Sequence, residues 1–133
     1  GGMTGTQKKD FADGSTDEAW TNLSHSNWGC RGASDKTHAV YFGGFGNSVT
    51  LNQIQKILFA DKSACEQWGS MTKNRGQQAV SSNGNGKIII AKGAQSSSYW
   101  DTTEHKAFDN NSTAEVASSL SNGVLGTADG SGN

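Results

Sequence analysis

An all-β fold assembled from an internal repeat of about 48 residues is what this sequence predicts, and three observations lead there. Phe11-Ala12-Asp13 recurs as Phe59-Ala60-Asp61 and, more loosely, as Phe108-Asp109-Asn110, at offsets of 48 and 49 residues. The apolar triplets Val40-Tyr41-Phe42 and Ile88-Ile89-Ile90 are each followed by glycine, at Gly43-Gly44 and Gly93. The 133 residues include 18 glycines and no proline, a profile that suits short strands joined by many turns.

Taken in chain order, the elements repeat in kind. Nine residues beyond Phe11 and Phe59 stand Trp20 and Trp68, followed by Leu23-Ser24 and Met71-Thr72; the third copy keeps Leu120-Ser121 but has Ala117 in place of the tryptophan. Ser34 superimposes on Ser82, and the two triplets superimpose on one another. The runs from Leu51 to Phe59 and from Trp100 to Phe108 read as extended, turn-bounded strands. Leu51, Ile54, Ile57 and Leu58 also fit a helical period, and the repeat context favours the strand. Lys8, Lys56 and His105 fall at equivalent places, as do Gln7, Gln55 and Glu104. Gly43-Gly44-Phe45-Gly46 and Gly84-Asn85-Gly86 read as hairpin turns, since neither glycine run opens a phosphate-binding helix.

Each unit thus contributes about four short strands: the triplet, the Leu51 type, the Trp68 type, and a weaker strand from Gly76 to Ser81. That is the make-up of a propeller blade, and one chain of this length holds fewer than three. Its edges then need cover from another subunit or from further sequence, unless the strands close on themselves as a β-sandwich. The expected organisation is one repeat-built domain, with units at 1–27, 28–75 and 76–124 and a tail at 125–133. Phe11, Trp20, Phe59, Trp68 and Phe108 are its expected core. The opening Gly1-Gly2-Met3 fits either a start methionine behind added residues or a piece of a longer chain.

The chemistry the chain can carry is narrow. Eleven basic and twelve acidic residues leave a formal net charge of -1, which gives no field for nucleic acid or an anionic membrane. No apolar run approaches the roughly 20 residues that span a bilayer. There is no nucleophile elbow and no Cys/His signature, so no enzyme is expected. His25, His38 and His105 lack metal-ligand spacing, and Asp101, Glu104, Asp109 and Asn110 form no calcium-loop pattern, so no cofactor is expected. Cys30 and Cys65 are expected as two buried free thiols, with one disulfide as the alternative. Trp28, Tyr99 and Trp100 lie outside the repeated tryptophan position. With Asp101 they are the candidate ligand-binding residues, since aromatic faces stack on sugars while polar neighbours bond hydroxyls; packing at a core or subunit interface is the plainer use of the same rings.

In order along one unit stand Phe42-Gly43-Gly44, Asn52-Gln53-Ile54, Phe59-Ala60, the stretch ACEQWGSMT from Ala64 to Thr72, Arg75, and AVSSNG from Ala79 to Gly84. This order resembles the kelch-like repeats of tailed-bacteriophage fibre and virion-surface proteins, over about residues 40 to 93. Trp68 stands where that family usually has Phe, Met71 where it has Leu, and Lys92-Gly93 replaces a full Gly-Gly. The first copy has Asn27 near the place of the arginine, and the third has Val124. The resemblance implies a β-propeller-like structural or interaction protein on the virion surface, outside the cell. Its expected partners are copies of itself or other virion proteins, with a carbohydrate-binding, host-recognising or decoration domain as the alternative.

Overall fold

In a computed structural model the described residues are 3–9, 12, 17–60, 65–83, 86–109, 113–119 and 130–131. Among them there is no helix. Phe11, Leu120-Ser121 and Val124 lie outside the described residues. The strands among the described residues are β1 (Met3–Lys8), β2 (Glu18–Asn27), β3 (Arg31–Ser34), β4 (His38–Phe45), β5 (Thr50–Leu58), β6 (Glu66–Ser70), β7 (Ala79–Ser82), β8 (Lys87–Ala91), β9 (Ala94–Gln95), β10 (Ser98–Tyr99), β11 (Thr102–Ala107), β12 (Glu115–Ser119) and β13 (Gly130–Ser131).

Two four-stranded antiparallel meanders dominate, β3-β4-β5-β6 and β7-β8-β11-β12. They fall within residues 28–75 and 76–124, while β1 and β2 form a hairpin within 1–27. The strand Ala79–Ser82 opens its sheet by pairing with the triplet that follows it, instead of closing the sheet before it. Local geometry explains this: Lys87 N donates to Asn83 Oδ1 at 3.0 Å, and Asn83 N donates to Lys87 O at 3.2 Å, so the ends of β7 and β8 are tied together and the weak strand pairs forward. The first strands of successive units run side by side. Ser82 Oγ donates to Ser34 O at 2.9 Å, and β13 lies parallel to β7.

Period-two burial sets which face each strand presents. In β8, Ile88 and Ile90 are fully buried while Ile89 is 55% exposed. Ile90 pairs with Glu104 and Ile88 with Lys106, so these four share the inward face. In the preceding sheet Tyr41 pairs with Gln55, and Gln55 is the repeat partner of Glu104. Tyr41 therefore corresponds to Ile90 and Val40 to Ile89, one residue away from the superposition read from the triplets alone. The offset changes from 48 to 49 within the unit, and a one-residue slip exchanges the two faces.

The sheets stack with a constant polarity. The face of β3–β6 that carries Val40, Phe42, Ile54 and Trp68 packs against Ile88 and Ile90 of the next sheet, forming the main core with Met71, Val80 and Ala114. Its opposite face carries Tyr41, Gln55 and Ile57 and meets the β1–β2 hairpin at Lys8 and Trp20. Gly43 and Gly44, with φ of 50° and 102°, form a bulge inside β4 and not a hairpin turn. The Arg75 carbonyl approaches there and accepts from Gly44 N at 2.9 Å, and a Cβ on Gly43 would stand 2.3 Å from that oxygen.

The turn between β3 and β4 is tied by Asp35, whose Oδ1 accepts from the backbone N–H groups of Thr37 (2.7 Å) and His38 (2.6 Å). Partial burial pushes this carboxyl up, and the hydrogen bonds from Thr37 and His38 outweigh that, leaving its pKa below the ordinary value. A depressed carboxyl stabilises the fold above its unfolded pKa, near 4, and that contribution fades as pH falls through the lower folded value. We expect thermal melts between pH 2 and 6 to show an acid-dependent loss in the wild type that is smaller in Asp35→Ala.

Candidate functional site

The repeat builds its own interfaces with the same polar lock used twice. Between the hairpin and the first meander, Gln55 Oε1 accepts from Ser24 N at 2.7 Å and from Ser24 Oγ at 2.8 Å, and Asn27 Nδ2 donates to Gly43 O at 3.0 Å. Between the two meanders, Glu104 Oε2 accepts from Thr72 N at 2.7 Å, and Arg75 Nη1 donates to Lys92 O at 2.8 Å and Thr102 O at 3.0 Å. Arg75 Nη2 closes on Glu104 Oε1 at 2.5 Å, with both side chains fully buried. Burial pulls the guanidinium pKa down and the Glu104 charge pulls it partly back.

Tryptophan and lysine repeat as well. Lys8 Nζ sits 4.0 Å from the Trp20 ring centroid, and Lys56 Nζ sits 5.2 Å from that of Trp68. Trp68 is buried and stacks on the half-buried Phe108 at 5.8 Å, with Lys106 Nζ 3.9 Å from its ring. Trp20 is only half-buried, and Phe59 is 40% exposed and not part of the core. Phe59 lies in the turn beyond β5, where its N–H donates to Thr37 O, at the rim of the sheet. There it lines a cavity of about 40 Å³ with Trp20, Tyr41 and Ile57 where the next interface has a filled ring stack.

Both cysteines are free and half-buried, more open than two buried thiols would be. Burial pushes the Cys65 thiol pKa up, which disfavours a reactive thiolate.

An open groove of about 470 Å³ lies where the first meander meets the β9–β10 hairpin. Trp28, 53% exposed, is placed by a backbone bridge in which Trp28 N donates to Phe45 O at 3.0 Å and Phe45 N donates to Trp28 O at 2.7 Å. Their rings meet at 4.5 Å between centroids, tilted by 31°. Phe45 lies so close to Gly76 that a Cβ there would come within 2.3 Å of its ring. Beside Gly46 and the exposed Val49, the rest of the described lining is polar and uncharged: Ser48, Thr50, Asn74, Gln95 and Ser96 surround the aromatic pair.

Of the ligand candidates read from the sequence, Trp28 lines this groove and Tyr99, Trp100 and Asp101 do not. Tyr99 is exposed on the β9–β10 hairpin. Trp100 is half-buried, its Nε1–H donating to Asn74 O at 3.0 Å and its ring 5.1 Å from Lys73 Nζ, so it fixes the main chain at Asn74. Sequence reasoning missed Phe45 and Asn74. The available signal for Phe45 was its place between Gly44 and Gly46, where the chain otherwise reads as a turn. Among the described residues, no three His, Cys, Asp or Glu side chains gather around a common point fit for a metal ion. No protein-family model matches the chain, and no curated protein matches its sequence.

Proposed function

We propose that the chain is a non-catalytic structural and interaction protein of a bacteriophage virion surface, built from kelch-like blades that assemble face to face. The observation that carries this reading is the polarity of the stack. In both interfaces the Trp-bearing face of one unit docks on the Gln55/Glu104 face of the next. The described structure leaves a face open at each end, and on the second meander Ala117 holds the place that Trp20 and Trp68 take on the docked faces. Gln7 is exposed on β1 at the position of Gln55, and Ile89 is exposed on β8 at the position of the buried Val40. Such complementary ends define a head-to-tail interface, which continues until a ring closes or another protein caps it. The side-by-side first strands β3, β7 and β13 support an arrangement of blades around a shared axis. A second copy of this chain, or a neighbouring virion protein carrying the same repeat, supplies the missing faces.

Native mass spectrometry of the source assembly, with the intact mass of the denatured chain from the same sample, tests this. The expected result is a defined oligomer or particle that holds the chain in fixed stoichiometry. A chain found only as a free monomer, outside any particle, would overturn the proposal.

A further inference from the structure

We propose that the groove formed by Trp28, Phe45 and Asn74 is a binding site for a neutral saccharide. The first reason is a break in the repeat. One unit later the places of Trp28 and Phe45 are held by Gly76 and Ala94, which form the same two-bond backbone bridge, so stacking of units does not call for either ring. The absence of a side chain at Gly76 is what lets the Phe45 ring lie where it does, next to an indole that stays half open to solvent. An exposed indole backed by a second ring offers the flat apolar surface that packs on the C–H face of a pyranose.

The second reason is the polar rim. Among the described residues, the side chains of Ser48, Asn74, Gln95 and Ser96 make no hydrogen bond to the rest of the chain. Amides and hydroxyls both donate and accept, as sugar hydroxyls do. Among the described residues no charged side chain lines the groove, so it offers no cation to pair with a sialylated or sulfated glycan.

The third reason is backbone geometry. Ser48 and Ser96 hold φ of 67° and 51°, two of the four non-glycine residues at positive φ among the described residues, and both stand on this rim. Such conformations cost energy and persist where the surrounding structure fixes them, often at ligand sites. The groove volume of about 470 Å³ lies within the roughly 300–1,000 Å³ typical of small-molecule sites.

The test is titration of the whole chain with lactose, maltose and chitobiose, with 3′-sialyllactose and a proline-rich decapeptide as competing classes, read from the Trp28 indole N–H in ¹H–¹⁵N spectra. We expect at least one neutral disaccharide to shift that resonance at millimolar concentration. Trp28→Ala should weaken binding about tenfold or more with the melting temperature preserved, since its backbone bridge to Phe45 remains. Gln95→Ala, at the solvent-facing rim, should weaken binding without touching the aromatic pair, and Gly76→Ala should do so by displacing Phe45. The proposal is overturned if no neutral disaccharide shifts the signal, if only the sialylated sugar or the peptide does, or if neutral-sugar binding survives Trp28→Ala unchanged.

Discussion

Glu104→Gln is expected to destabilise the protein by about 3–5 kcal/mol, the range for removing one charge of a buried ion pair. The side chain stays the same size, so the loss comes from the stranded charge on Arg75. Both partners are fully buried, and the remaining guanidinium bonds, to Lys92 O and Thr102 O, are to neutral carbonyls. Among the described residues the Arg75 Nε–H has no partner, which makes the site less able to absorb the loss. The preceding interface shows how the same position is satisfied without charge: Gln55 accepts from Ser24, and Asn27 bonds a main-chain carbonyl. Combining Arg75→Asn with Glu104→Gln copies that neutral lock, and we expect the double variant to recover about half or more of the loss, the two sites being directly coupled. Urea unfolding of the four species gives the cycle: the midpoint should fall in either single variant and rise again in the double one. Additive losses would show that the charges act independently.

Trp68→Ala should cost about 3–5 kcal/mol, while Trp20→Ala, at the same place in the repeat, should cost less than half as much. Trp68 is 2% exposed, stacked on Phe108 and covered by Lys106, so its removal leaves a cavity that the neighbouring sheet cannot fill. Trp20 is half-buried beside a space of about 40 Å³ that is already empty, so less contact is lost and more relaxation is available. Thermal unfolding of the two variants at equal concentration separates the cases. Equal losses would mean that both interfaces bury their tryptophan alike, and would overturn the ranking.

Much of the fold could be read from the chain because repetition is a one-dimensional property. The recurrence of Phe59-Ala60-Asp61, the glycine-terminated triplets and the Trp20/Trp68 spacing gave the unit length and the all-β class, and Leu51 to Leu58 is a strand as the repeat context argued. The rows Lys8, Lys56, His105 and Gln7, Gln55, Glu104 keep their equivalence in the sheets. What the chain did not reveal was which face each strand presents and how deeply each repeated ring is buried. Val40 and Ile89 occupy one structural position, which strand pairing reveals and the triplet superposition hides by one residue. The first is buried because the second meander packs on its face, and the second is open because no described strand covers that face. Phe59 repeats faithfully and still lies at the rim.

The sequence by itself determined the repeat, the strand content and the residue types available to each interface. Tertiary structure alone decided that Ala79–Ser82 pairs forward, that Arg75 meets Glu104 across 29 residues, and that Trp28 finds Phe45 and Asn74 around one groove. The physical reason is the range of the forces involved. Turn chemistry and side-chain alternation act over a few neighbouring residues and leave their pattern in the chain. Burial, ion pairing and ring stacking depend on which surfaces the folded sheets bring together.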